Sequence, residues 1–122
     1  MTVATKIGFG KRVKGEIKVM GGEGEAVTTH DIDSSLQGKI LLLLTYASRE
    51  FLEKASFVEI KAVVVPSMHY RDFLYFKDNG DFSLLVLTKF GKLDIGDELT
   101  AKLSKLDGKE GELDGEKMEL SV

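Results

Sequence analysis

The chain brings histidine and arginine together in one stretch, Pro66-Ser67-Met68-His69-Tyr70-Arg71. An imidazole can accept a phosphoryl group, act as a general acid or base, or donate to a ligand. A guanidinium two residues on can hold a phosphate or carboxylate through paired hydrogen bonds. Ser67 adds a hydroxyl. A second stretch, Thr88-Lys89-Phe90-Gly91-Lys92, supplies positive charge if the ends of two neighbouring strands meet. Ser67, His69, Arg71 and Lys89 therefore form a candidate site for a phosphoryl group or small anionic ligand. A plainer reading also fits: Ser67 caps a helix whose first turn carries His69, and the lysines serve solubility.

Other clusters carry less chemistry. His30, Asp31 and Asp33 have the composition of a cation site, but hydrogen-bonded turns use the same residue types, and no metal is expected. Glu23 and Glu25 flank flexible glycines, which cannot fix the separation that paired acid–base carboxylates need. Gly21-Gly22-Glu23-Gly24 lacks the Gly-Lys-Ser/Thr ending of a phosphate loop and places a carboxylate where phosphate would sit. With no cysteine, disulfides, thiolate nucleophiles and cysteine-based zinc sites are excluded. No catalytic residue and no cofactor is assigned.

The elements that must position these residues are legible. Ile40–Thr45 and Ala62–Val65 are short apolar runs, long enough to cross a sheet and too short for a membrane. Between them, Ser48–Glu59 has helical spacing, with Ser48 as N-cap and Phe51, Leu52 and Ala55 as the apolar stripe. This is a βαβ unit, and it puts Pro66–Arg71 at the carboxyl end of a buried strand, where ligands usually sit in open α/β sheets. Tyr70–Lys77 reads as a short helix carrying Phe73, Leu74 and Phe76. Phe82–Thr88 reads as a third buried strand, and Asp97–Leu106 as a helix with Leu99, Leu103 and Leu106 on one stripe. Alternation over Lys11–Met20 predicts a strand with Val13, Gly15, Ile17 and Val19 inward, paired through the glycine turn with Glu25–Thr29. Asp114-Gly115 marks a closing hairpin.

At 122 residues the chain fits one domain, and 43% hydrophobic content suffices for a core. Its net charge of −3, with acids and bases interspersed, argues against nucleic acid, which favours a large basic footprint. The alternative footprint is Lys11, Arg12, Lys14 and Lys18. No run approaches the roughly 18 apolar residues of a membrane span, so the expectation is a soluble cytoplasmic protein. High Glu and Lys with one proline leans thermophilic.

The layout resembles the β/β/α swivelling domains, and among them the mobile phosphohistidine domain of phosphoenolpyruvate-utilising enzymes. Gly22-Glu23-Gly24-Glu25-Ala26-Val27 is similar to that family's early glycine-rich strand turn. Leu36-Gln37-Gly38-Lys39-Ile40-Leu41 resembles its strand entry, and Leu106-Asp107-Gly108 through Asp114-Gly115 its closing hairpin. The resemblance spans residues 15–120 and implies a three-layer β/β/α domain with a small parallel central sheet and β-hairpins. The family's reactive histidine follows a Gly-Gly pair and a Ser or Thr. Val65-Pro66-Ser67-Met68-His69 lacks the glycines and inserts Met68, so the active-site motif is not matched. The functional expectation is a non-catalytic binding, regulatory or assembly module, with a protein partner or a second copy paired through Lys11–Met20 or the last strand. The alternatives are a phosphoryl-carrier or small-ligand enzyme domain using His69, Arg71 and Lys89, and nucleic-acid binding through the basic N-terminal strand.

Overall fold

Chain order in the computed structural model, which describes residues 1–21, 27–88, 90 and 96–122, is β1 (Thr2–Ala4), β2 (Ile7–Phe9), β3 (Arg12–Met20), β4 (Ile40–Leu43), α1 (Arg49–Phe57), β5 (Ala62–Val65), α2 (Tyr70–Asn79), β6 (Ser83–Val86), α3 (Asp97–Ser104), β7 (Glu110–Asp114) and β8 (Glu119–Ser121). The α/β class is as expected. The strands form one eight-stranded mixed sheet in the order β1-β8-β7-β3-β4-β5-β6-β2. Strands β3 to β6 run parallel. The expected small parallel sheet is thus the middle of a larger one.

Strand β3 makes this possible because its nine residues serve different partners. Residues 12–16 pair antiparallel with β7, and residues 17–20 pair parallel with β4. The hairpin partner expected at Glu25–Thr29 does not form where it can be seen. Val27 and Thr28 lie in no strand, and Thr29 opens a 3-10 turn. The cause is local: the Asp31 carboxylate accepts the Thr28 N–H at 2.8 Å and competes with a ladder. Residues 22–24 of the expected turn, with Glu23 and Glu25, lie outside the described residues.

The strands expected at the sheet edge are also interior. Strand β3 is central and β8 lies between β1 and β7. The edges are β1 and β2, separated by Thr5 and Lys6 alone. Such a link reaches at most about 11 Å between flanking Cα atoms, so the sheet must curl until its two edges approach. The turn after β7 confirms the approach. A Cβ on Gly115 would lie 2.0 Å from the Phe9 carbonyl oxygen, a contact that only glycine permits.

Two cores fill the faces of the sheet. On one, Leu41, Leu43, Val63, Val65, Leu84 and Val86 pack with Phe51, Leu52, Ala55, Phe73 and Phe76 of α1 and α2. On the other, Ile40, Leu42, Ala62, Val64 and Leu85 pack with Leu113 and Leu120 of β7 and β8 and with Leu103 and Leu106 at α3. Burial on both faces is why β4, β5 and β6 read as unbroken apolar runs. Each fully buried side chain of this kind contributes roughly 1.5–3 kcal/mol.

Candidate functional site

At the carboxyl ends of the parallel strands the expected residues are only partly brought together. Strand β5 runs into Pro66, Ser67 and Met68, all buried, and the Met68 side chain belongs to the core beneath the helices. The strand ends are tied: Leu87 N–H donates to the Val65 carbonyl at 2.9 Å, and Thr88 donates to the Pro66 carbonyl through N–H at 3.1 Å and through Oγ1 at 2.8 Å. Ser67 is fully buried, while His69 and Arg71 are exposed. The cap of α2 is His69, not Ser67: its Nδ1 accepts the Arg71 N–H at 3.2 Å. With Nδ1 accepting this bond, the neutral ring carries its proton on Nε2. Lys89 and Lys92 lie outside the described residues. Phe90 meets Tyr70 and Phe73 at ring-centroid distances of 4.9 and 5.1 Å, which brings the chain after β6 onto the start of α2.

Two further polar residues stand at this end. Thr45 Oγ1 is buried and has no hydrogen-bond partner among the described residues. Burial, reinforced by the carboxylates of Asp72 and Glu50, pushes the Tyr46 phenol up. Their signal in the sequence is their position directly after the run of leucines.

The His30, Asp31 and Asp33 cluster is a pair of turns. Asp31 binds the Thr28 N–H. Asp33 accepts the Ser35 N–H at 2.8 Å and also its hydroxyl, and these bonds hold its carboxyl below the usual aspartate range. Among the described residues no group of three or more His, Cys, Asp or Glu side chains could hold a metal ion.

The opposite end of the same strands is open. A cleft of about 640 Å³ is lined by Lys11, Arg12, Lys14, Ser56, Glu59 and Lys61, among others. A second of about 640 Å³ adjoins it, sharing Lys11, Lys61 and Asp81 and adding Lys77 and Ser83. Arg12 and Lys14 pair with Glu112 on the neighbouring strand, which removes part of the basic surface read from Lys11, Arg12, Lys14 and Lys18. Lys11, Lys61 and Lys77 have no ion pair among the described residues. Glu59, on the cleft wall, holds a positive φ of 64°, a conformation that favours glycine. Sequence reasoning missed this groove because its lysines lie far apart along the chain. Their common signal is position: Lys11 and Lys61 immediately precede strands, and Lys77 closes a helix.

A third feature is the outer face of α1 and α2. Phe57 is 86% exposed and Tyr70 51%, with Leu74 and Tyr75 also exposed. Arg49 lies 3.8 Å from the centre of the Tyr75 ring and pairs with Glu53 at 2.9 Å. Among the described residues no helix is long and apolar enough to cross a membrane. No known protein family, no curated protein and no solved structure matches the chain.

Proposed function

We propose that this chain is a non-catalytic assembly module that pairs with a second copy through the outer face of α1 and α2. The observation that carries the reading is the exposure of Phe57, Tyr70, Leu74 and Tyr75 on two adjacent helices. Exposed apolar side chains gathered on one face, with a polar rim, mark protein contacts. Arg49, Glu50, Glu53, Arg71 and Asp72 give this face charges of both signs. A mixed-sign rim can satisfy itself across a two-fold axis, which a single-sign rim cannot. The interior placement of β3 and β8 leaves the helix face, and not those strands, for the contact. Light scattering on the intact chain tests it. A dimer is expected that dissociates in the Tyr70→Glu, Leu74→Glu double variant with unchanged circular dichroism. A wild-type monomer at every concentration up to the solubility limit would overturn it.

The fold is read, in the same proposal, as three β/β/α layers of swivelling type. The support is that residues of β7 and β8 share a core with β4, β5 and β6 on the face away from α1 and α2. A second functional reading keeps the phosphoryl or small-ligand site at His69 and Arg71, supported by their exposure in the first turn of α2, where an anion is welcome. The hydrogen bond to Nδ1 makes Nε2 a donor, so this reading favours ligand contact over phosphoryl transfer. ³¹P NMR after incubation with phosphoenolpyruvate separates the two: a His69 adduct establishes carriage, and its absence ends it.

A further inference from the structure

We infer that the groove at the amino ends of the parallel strands binds a small oligo-anion, a molecule bearing two or more phosphate or carboxylate groups. The inference concerns a surface separate from the α1 and α2 contact face and does not depend on it. Its first support is charge. Lys11, Arg12, Lys14, Lys61 and Lys77 line the two adjoining clefts against the carboxylates of Glu59 and Asp81, in a chain whose net charge is −3. Neither Glu59 nor Asp81 forms an ion pair with these lysines among the described residues. Arg12 and Lys14 are paired with Glu112, so the positive charge left for a ligand is that of Lys11, Lys61 and Lys77.

The second support is preorganisation. The Lys61 N–H donates to the Lys39 carbonyl at 3.0 Å, and the Lys61 carbonyl accepts the Ser83 N–H at 3.1 Å, so its backbone is fixed between two ladders. Its Nζ reaches the Lys14 carbonyl at 3.0 Å and retains donors for a ligand, because an ammonium has three. The Ser83 hydroxyl donates to the Lys11 carbonyl at 2.6 Å, which fixes the segment bearing Lys11. Gly10, at φ 103°, sits where a Cβ would strike Ser83 at 2.5–2.7 Å, and this close approach seats Lys11 on the groove rim. The third support is size: each cleft, at about 640 Å³, falls within the range of small-molecule sites.

The rival role for the lysines is structural. Helices α1 and α2 end here, and cations near helix C-termini offset the partial negative charge of the last carbonyls. A ligand titration separates the roles. Isothermal titration of the intact chain with inorganic pyrophosphate at low salt should show saturable binding. The Lys11→Gln, Lys61→Gln double variant should weaken it by at least about tenfold, and the Lys11→Arg, Lys61→Arg variant should restore most of it. Lys102→Gln, whose amine pairs with Glu98 on α3, should leave it unchanged. Circular dichroism verifies that each variant is folded. No saturable binding, or an equal loss in Lys102→Gln, would overturn the inference. Binding of single-stranded oligonucleotide that is tighter than that of pyrophosphate and depends on Lys18 would overturn it in favour of a strand-binding face.

Discussion

The two ends of the parallel strands both carry polar residues and use them differently. At the carboxyl end, Ser67 and Met68 are buried, Thr88 ties two loops at the Pro66 carbonyl, and the His69 ring is occupied as a helix cap. At the amino end, Lys11, Lys61 and Lys77 stand around an open groove without acidic partners among the described residues. The contrast teaches that a site is made by polar groups left over after the backbone has been satisfied. Polar residues at the customary edge of a sheet do not suffice. Among the described residues at the carboxyl end, Thr88 and His69 are engaged in ties to the backbone.

The comparison can be broken by substitution at either end. The largest effect is expected at Met68, which packs at 0% exposure in the core under α1 and α2. Met68→Ala should cost about 2–5 kcal/mol by leaving a cavity, read as a shift in the urea midpoint. A change under 1 kcal/mol would mean that the loop after β5 is free to serve a site. At the amino end, Gly115→Ala should cost about 1–3 kcal/mol, the range of overpacking. The new methyl would meet rigid backbone, the Phe9 and Gly10 carbonyl oxygens at 2.0 and 2.5 Å. Phe9 and Gly10 also wall the groove, so pyrophosphate binding should weaken in the same variant.

Smaller effects sharpen the contrast. His69→Ala should cost about 1 kcal/mol through the lost cap, and His69→Asp should recover it. Recovery would mark His69 as structural, whereas loss of a function in both variants would mark it as a ligand contact. Glu59→Gly should stabilise by about 0.5–1 kcal/mol, because the left-handed conformation at φ 64° suits glycine. A thermal melt reads the gain, and no gain would place the Glu59 side chain in a stabilising role that its bond from Gln37 does not account for.

The sequence made some of this legible and hid the rest for a physical reason. Strands β4, β5 and β6 and helices α1 and α2 announce themselves through local pattern: apolar runs, the Ser48 cap, and the turn signals after α2. The pairing of β3 with β7, and of β1 with β8, joins segments about a hundred residues apart, and nothing in a local period encodes it. The same distance effect hid the groove, whose lysines come from the segment before β3, the residue before β5 and the last turn of α2. Within the expected strand Glu25–Thr29, the described residues Val27–Thr29 form no ladder because the Asp31 side chain binds the Thr28 N–H locally.

A ¹⁵N–¹H correlation spectrum recorded during pyrophosphate titration discriminates the two ends residue by residue. The amides of Lys11, Arg12, Lys61 and Gly80–Asp81 should shift in a saturable way while those of His69–Asp72 stay in place. Shifts centred on His69, Arg71 and Asp72, with the amino end silent, would contradict the assignment of the open groove as the ligand site.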